Sequence, residues 1–326
     1  MASARRVLLR ELNTNFEAFL DDNHAATEWL LNNRLITPPI CCNRPTSLQR
    51  YQKFNDGYCF RCRDRDCKNV FSLKRGNLLH GSRLSMGEIC YIIFYCFPRQ
   101  FCFQEIHRWT GVCAESIRKL RRKYWTLLRY HYEAQPRLGR LNQTVEINES
   151  KFNRTNNRGR FRRMGWVFGM IERGENGRFK LFVVPDRTSA TLIPLITRNI
   201  DFNCTALLSD MFRSYNPLRT LGYEHYMVNH SRNFVDPNAA FVVPPNRRRL
   251  RRQIANFPVI VNLHTHTIEN LWGRIKRRLR RRGGLNRLWL QEMIWESQFY
   301  LENSANLDNA VINLVITYVD LLLKYA

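Results

Sequence analysis

The spacing of apolar positions changes near Pro136, from helical periodicity before it to strand-like alternation after it. An apolar run from Ile89 to Phe97 follows Ser85-Met-Gly-Glu88, which has the spacing of a capping box, and the run stops at Pro98. These features predict a buried helix. Helical spacing predicts three more, around Trp29-Leu-Leu31, from Cys102 to Gly111, and from Ala114 to about Glu133.

Beyond Pro136, alternation predicts strands at 144–152, 163–173 and 178–184, the last two joined by the turn Gly174-Glu-Asn-Gly177. A helix at 189–199, strands at 205–210 and 224–230, and a helix from about 265 to 282 follow. Helical spacing returns after Trp289. Antiparallel strands followed by alternating helices and strands predict an α/β fold.

Three of these elements carry candidate chemistry. Val145 and Ile147 fall on one face of the first strand, and Glu146 and Asn148 on the other. Asp210 closes the apolar strand Ala206-Leu-Leu-Ser-Asp210, and Glu269 opens a basic helix. Acids on two strands and a helix suit a pair of divalent cations that transfers phosphoryl groups. Taken singly, an acid such as Asp210 is more often the first residue of a turn, and one such as Glu269 is more often a residue that the helix dipole favours in a first turn.

The net charge of the chain indicates which class of molecule it binds. Lys and Arg number 52 against 27 Asp and Glu, a formal net charge of +25, which indicates a polyanion. No apolar run approaches membrane-spanning length, so we expect nucleic acid and no membrane. The helices at 102–111 and 114–133 have helix-turn-helix spacing; equally, the second is a basic amphipathic helix with solvated charges. The candidate DNA-binding residues are Arg118, Lys119, Arg121, Arg122 and Lys123 on that helix, and Arg274, Lys276, Arg277, Arg278, Arg280 and Arg281 after Glu269.

Ten cysteines occur without the residue order of a secretory signal. This combination predicts an intracellular, non-secreted protein whose cysteines are free thiols or metal ligands rather than disulfides.

The chain resembles the Merlin superfamily of cut-and-paste DNA transposases and related bacterial insertion-sequence transposases. The resemblance extends from about Cys41 to Tyr300 and rests on several ordered blocks. They are Val145-Glu-Ile-Asn-Glu-Ser-Lys-Phe152, Gly165-Trp-Val-Phe-Gly169, Val184-Pro-Asp-Arg187, Leu207-Leu-Ser-Asp210, Val228-Asn-His-Ser-Arg-Asn-Phe-Val-Asp-Pro237 and His264-Thr-His-Thr-Ile-Glu-Asn-Leu-Trp272.

The resemblance implies a ribonuclease-H-like catalytic domain of the DDE type, in which the first strand, the fourth strand and a late helix meet. Asn148, Asp210 and Glu269 would form the catalytic site, with Mg²⁺ or Mn²⁺ held by Asp210 and Glu269. The family's first Asp falls on Asn148, which offers no charge, so we expect strand cleavage to be impaired or absent. Glu146 shares the face of Asn148 but lies about 6–7 Å along the strand, so we do not expect it to replace the missing Asp.

The resemblance also implies an amino-terminal zinc ribbon. Its last cysteine pair matches Cys62 and Cys67, and Cys42 matches one member of the first pair, but Pro39 stands where the other belongs. Either Cys41 or Cys59 could fill the vacancy, and the set we adopt for Zn²⁺ is Cys41, Cys42, Cys62 and Cys67. The alternative is a knuckle that no longer binds metal.

The predicted organisation is a helical segment (1–35), a zinc-ribbon-like module (36–80), a helix-turn-helix region (81–136), a ribonuclease-H-like domain (137–284) and carboxyl-terminal helices (285–326). The ribonuclease-H-like domain contains a flexible basic insertion at about 237–262. Such a protein would bind terminal inverted repeats of double-stranded DNA as a homo-oligomer, in the nucleus if the source is eukaryotic. The alternative is a non-catalytic DNA-binding protein derived from a transposase.

Overall fold

The structure, a computed structural model, describes residues 15–75, 79–139, 143–155, 161–175, 177–204, 206–228, 240–243, 259–262, 264–281 and 287–324. The chain divides into two compact units, Met1–Glu133 with Phe299–Ala326, and Ala134–Gln298. Within the described residues, no helix is both long and apolar enough to cross a membrane.

The first unit contains a small cysteine-bearing region followed by helices. Its amino-terminal part has helix α1 (Asn23–Asn32), the hairpin of β1 (Ile40–Cys41) and β2 (Arg44–Pro45), and the antiparallel sheet of β3 (Ser47–Arg50), β4 (Tyr58–Arg61) and β5 (Val70–Phe71). Helices α2 (Met86–Cys90), α3 (Phe103–Thr110) and α4 (Ala114–Glu133) follow.

The predicted capping box starts α2. The Glu88 backbone N–H donates to Ser85 Oγ at 3.2 Å, and the Ser85 N–H donates to Glu88 Oε2 at 2.6 Å. The apolar run continues beyond α2 as a π-helical stretch, Tyr91–Cys96, which the sequence pattern did not distinguish from an α-helix. Gly111, at φ 69°, ends α3 in the left-handed conformation that glycine adopts without strain.

The second unit contains a five-stranded sheet. Its strands are β6 (Thr144–Thr155), β7 (Phe161–Glu172), β8 (Phe179–Val184), β9 (Ala206–Asp210) and β10 (His225–Val228), and its helices are α5 (Ser189–Asn199), α6 (Pro217–Thr220) and α7 (His266–Arg281). The strand order is β10-β9-β6-β7-β8. Strands β6, β7 and β8 are antiparallel, whereas β9 runs parallel to β6 and β10 parallel to β9.

Alternation along β6 separates two faces of this sheet. Val145 and Ile147 are fully buried on one face, in a core with Leu192 and Ile196 of α5 and Phe168 of β7. The opposite face is covered by α7, which packs on β6 and β7. The predicted periodicity is therefore confirmed, and it places Glu146 and Asn148 on the α7 side.

The remaining elements bear on the predicted boundaries. Strands β11 (Ala240–Val243) and β12 (Val259–Asn262) pair antiparallel, so these two segments of the predicted basic insertion at 237–262 are strands and not loop. The basic run at 247–252 lies outside the described residues. Helices α8 (Leu290–Asn303) and α9 (Leu307–Lys324) end the chain, and α9 packs against α4 in the first unit.

Candidate functional site

Asn148 occupies the central strand, opposite Gly169 of β7. It shares its face with Glu146 and Phe152, because side chains two residues apart point the same way along a strand. The Phe152 ring contacts the Trp272 ring of α7, with centroids 6.1 Å apart. Asn148 therefore lies on the face of the sheet that α7 covers.

Asp210 lies on the same face, at the end of β9. The parallel register pairs Val145 with Leu207 and Glu146 with Leu208. Leu207 is buried in the core with Val145, so alternation places Asp210 on the other side, and the same register carried two residues further sets it level with Asn148. Its Oδ1 accepts the Phe212 N–H at 3.0 Å.

Glu269 lies in the first turn of α7 and is exposed. Its Oε1 accepts the hydroxyl of Thr265 at 3.2 Å. The helix is amphipathic, with Ile268, Leu271, Trp272, Ile275 and Leu279 buried. The structure thus brings the three elements that carry Asn148, Asp210 and Glu269 to one face of the sheet, while the catalytic roles of the three residues remain predictions.

The donor atoms at this face fit a metal pair poorly. Asp210 and Glu269 each supply a carboxylate, but Asn148 supplies only an amide dipole. Among the described residues, the one group of three or more Cys, His, Asp or Glu side chains that could share a metal ion is a cysteine cluster. Divalent cations at this face would be bound by only two carboxylates, which would neutralise their positive charge incompletely.

Glu146 is buried completely, although it lies only two residues before Asn148. Its Oε2 accepts the backbone N–H of Ile268 at 3.0 Å, and its Oε1 accepts the Thr267 hydroxyl at 2.9 Å and the Arg173 Nε–H at 2.6 Å. In the sequence, Glu146 stands out only as a possible substitute for the missing Asp. Its contacts cannot be predicted from the sequence, because the partners lie far along the chain and no local pattern joins them to Glu146.

A second polar network lies on the opposite face, around Glu149. Burial raises the pKa of the Glu149 carboxyl, which accepts the hydroxyl of Tyr215 and lies 4.0 Å from Arg187. The Arg187 guanidinium stacks 3.9 Å from the centre of the Trp166 ring. The sequence blocks Gly165–Gly169 and Val184–Arg187 therefore meet through this pair.

The basic side chains of α7 divide between solvent and the sheet. Arg274, Arg277 and Arg280 are exposed, and Lys276 and Arg278 are half-buried. The Lys276 ammonium lies 5.3 Å from the centre of the Phe152 ring, and burial lowers its pKa. The Arg281 side chain lies outside the described part of the structure.

On α4, Arg118, Lys119 and Arg122 are exposed. Arg121 is 1% exposed: its guanidinium donates to the Phe101 carbonyl at 2.8 Å and lies over the Phe97 and Phe103 rings. Its inclusion among the DNA-binding residues is therefore corrected, since it packs inside the first unit. Lys123 is half-buried and donates to the His80 carbonyl at 2.6 Å.

The four cysteines chosen as zinc ligands lie together. The sulfurs of Cys41, Cys42, Cys62 and Cys67 are all within 4.8 Å of one another. The Sγ of Cys41 lies 3.7 Å from that of Cys67 and 4.0 Å from that of Cys42. Tetrahedral Zn²⁺ with Zn–S bonds of about 2.3 Å requires sulfurs roughly 3.8 Å apart, so the spacing fits this ion.

A tight turn explains how two adjacent cysteines reach one point. Cys42 and Asn43 both have positive φ, 49° and 58°, between β1 and β2. These values are those of a hairpin turn of the primed type, in which the chain reverses within two residues. Cys59, the other residue considered for the vacant position, is buried in β4 and does not belong to the cluster.

Comparison with known proteins relates the second unit to transposases. Residues 140–282 match the family model of the ISXO2-like transposase domain. The chain is also 26% identical, over 117 residues, to an uncharacterized transposase-like protein of Haemophilus influenzae; the match covers 35% of this chain and 75% of that protein. Both similarities support a relationship of this chain to insertion-sequence transposases.

Proposed function

We propose that this protein is a DNA transposase of the Merlin-like type, whose second unit is a ribonuclease-H-like domain. The observation that carries the proposal is the convergence of β6, β9 and α7 on one face of the sheet, within the residues that match a transposase domain. A central first strand, a parallel fourth strand beside it and a late helix packed on the first strand form the arrangement expected of that fold.

In this arrangement Asp210 and Glu269 are the residues that would hold Mg²⁺ or Mn²⁺. Such an ion would stabilise the charge that develops on a phosphodiester under attack. Asn148 adds a dipole but no charge, so we propose that strand cleavage by this chain is weak or absent. The same residue favours the second candidate function, a non-catalytic DNA-binding protein that retains the fold and the basic surface.

DNA would be held by the exposed basic residues of α4 and α7. Arg118, Lys119 and Arg122 on the first helix, and Arg274, Arg277 and Arg280 on the second, are positioned to contact phosphates. Affinity from such contacts falls as salt is raised, because bound counterions are released from the DNA. Terminal inverted repeats, bound by a homo-oligomer in the nucleus of a eukaryotic source, are the proposed natural setting.

In the first unit, we propose that Cys41, Cys42, Cys62 and Cys67 bind one Zn²⁺. A closed set of four thiolates is typical of structural sites, which contribute to folding rather than to catalysis. The ion would hold the β1–β2 turn against the segment that contains Cys62 and Cys67.

A nicking assay with supercoiled DNA tests the catalytic part of the proposal. The wild-type protein should nick at or near background in Mg²⁺ and Mn²⁺. The Asn148→Asp variant should nick faster by at least about a hundredfold, because charge stabilisation by a well-held metal is worth several kcal/mol.

The double variants Asn148→Asp/Asp210→Asn and Asn148→Asp/Glu269→Gln are the controls, and both should return to background. Equal nicking by the wild type and the Asn148→Asp variant would contradict the assignment of residue 148. Duplex binding without nicking in every variant would establish the non-catalytic alternative.

A further inference from the structure

The first turn of α7 is capped by a residue from the sheet. The N–H groups in the first turn of a helix have no partner within the helix and usually bond to the side chain of the residue before it. That residue here is Thr265, whose hydroxyl donates to Glu269 Oε1. The N–H of Ile268 in this turn donates to Glu146 Oε2 of β6, at 3.0 Å.

Glu146 has further contacts to the same turn. Its Oε1 accepts the Thr267 hydroxyl at 2.9 Å and the Arg173 Nε–H at 2.6 Å, and His264 Nδ1 lies 3.6 Å away. The Arg173 guanidinium also donates to the His264 carbonyl, just before α7 begins. One buried carboxylate and one arginine thus hold both the start of α7 and the segment that leads into it.

These contacts join two parts of the proposed site. Glu146 lies two residues from Asn148 on the strand, and the turn that it caps contains Glu269. A carboxylate with no solvent exposure and several donors keeps a single position, and the positive end of the helix macrodipole favours its charge. Glu146 therefore joins the strand that carries residue 148 to the helix turn that carries residue 269.

We propose that Glu146 is a positioning residue, which fixes the helix that carries Glu269 against the strand that carries Asn148. This inference rests on the proposed function for its consequence, but the positioning itself can be measured without catalysis. Glu146 would touch neither the metal nor the DNA.

Glu172 provides a matched control. It is also a nearly buried acid of this sheet, and it accepts the Gly139 N–H at 2.9 Å and pairs with Arg178 at 2.6 Å. Its register partner is Val145, so it faces the core side of the sheet, away from α7. Replacing Glu172 by Gln removes a partly buried ion pair without altering the cap of α7.

The first readout is backbone hydrogen exchange. The measured quantity is the ratio of two exchange rates, that of the amides at the start of α7, including Ile268, and that of the amides of the β6–β7 pair. In the Glu146→Gln protein this ratio should be about tenfold higher than in the wild type, or more. In the Glu172→Gln protein it should equal that of the wild type. Equal ratios in the two variants would overturn the proposal.

The second readout is the Mn²⁺ concentration that gives half-maximal nicking. It is measured in proteins that carry Asn148→Asp. Adding Glu146→Gln should raise this concentration about 10–100-fold, as expected when a group that orients a metal ligand is lost. Adding Glu172→Gln should not raise it. If Asn148→Asp alone does not nick, the catalytic part of the proposed function fails, and the exchange ratios still decide the role of Glu146.

A milder variant covers the case in which Glu146→Gln does not fold. Thr267→Val removes one donor to Glu146 and leaves the Arg173 pair in place. It should shift the exchange of the first turn of α7 in the same direction by a smaller factor, and an unchanged exchange rate there would count against the proposal.

Discussion

At the scale of single residues, the sequence predicts which face of the sheet Asn148 lies on, but it does not predict which charged residues are buried. The alternation of Val145 and Ile147 with Glu146 and Asn148 predicts which side chains share a face, and the sheet confirms it. The fully buried state of Glu146 and Arg121 could not be predicted in this way. Charged residues are rarely buried unless paired, and here the partners come from distant parts of the chain.

A buried histidine provides a prediction at this scale. His225 Nε2 lies 2.8 Å from Ser209 Oγ, whose hydroxyl donates to the Asp210 carbonyl at 2.7 Å. His225 Nδ1 is buried without a hydrogen-bond partner among the described residues. Burial, with a smaller contribution from Arg219, lowers the pKa of His225 to about 4.

Because this pKa is depressed on folding, the unfolded chain takes up the proton first as the pH falls. The stabilising contribution is complete above about pH 6.5 and is lost between about pH 6.5 and 4. The free energy of unfolding of wild type should therefore fall by about 3 kcal/mol more than that of His225→Gln between pH 7 and 4. Urea denaturation at both pH values measures this difference, with the exposed His80→Gln as control. Parallel pH profiles for wild type and His225→Gln would contradict the assigned pKa.

At the scale of elements, the helix and strand boundaries of the second unit were largely predictable. Helix α5 lies at the predicted residues, and β6, β7, β8 and β9 differ from the predicted ranges by a few residues at most. Their apolar periodicity is strong and their turn residues are clear. The π-helical stretch at Tyr91–Cys96 and the β11–β12 pairing were not predicted, since hydrogen-bond register and pairing partner leave no mark in local periodicity.

The close packing of α7 on β7 depends on Gly169. A Cβ at this position would lie 2.7 Å from two atoms of the Trp272 ring, so the helix approaches the strand where no side chain intervenes. Gly169→Ala should therefore displace α7 and lower the free energy of unfolding by about 1–3 kcal/mol, the usual cost of overpacking.

The matched control for Gly169→Ala is Gly273→Ala on α7, where nothing lies within 4 Å of the added Cβ. Alanine there should be neutral or stabilising by up to about 1 kcal/mol, because it favours helix. Adding Trp272→Phe to Gly169→Ala should recover part of the loss. An undiminished stability of Gly169→Ala in thermal or urea unfolding would show that α7 does not pack this closely.

At the scale of the whole molecule, the sequence predicts a zinc-ribbon-like module at 36–80 apart from a ribonuclease-H-like domain at 137–284, and it leaves one cysteine ligand open. Either Cys41 or Cys59 could be the fourth zinc ligand, because zinc ligands tolerate variable separation along the chain. The choice depends on the turn at Cys42–Asn43, whose positive φ angles bring Cys41 and Cys42 to the other two thiols.

Metal analysis should therefore find about one Zn²⁺ per chain in the wild type and in Cys59→Ala, and much less in Cys41→Ser. Chelation should lower the melting temperature of the first unit in the wild type, since a closed site contributes to folding. Equal zinc content in Cys41→Ser and the wild type would show that Cys41 is not a ligand.

We propose above all that β6, β9 and α7 meet at one cation site, and cleavage of the polypeptide by bound Fe²⁺ tests this proposal most directly. With added hydrogen peroxide, the bound Fe²⁺ is oxidised to Fe³⁺ and produces hydroxide and a hydroxyl radical, and the radical cuts the backbone near the ion. In Asn148→Asp, fragments should end near residues 148, 210 and 269 together, and Mg²⁺ should suppress all three cuts. Adding Asp210→Asn should abolish them as a group. Cuts confined to one of the three segments, or at three sites with separate Mg²⁺ dependence, would contradict a shared site.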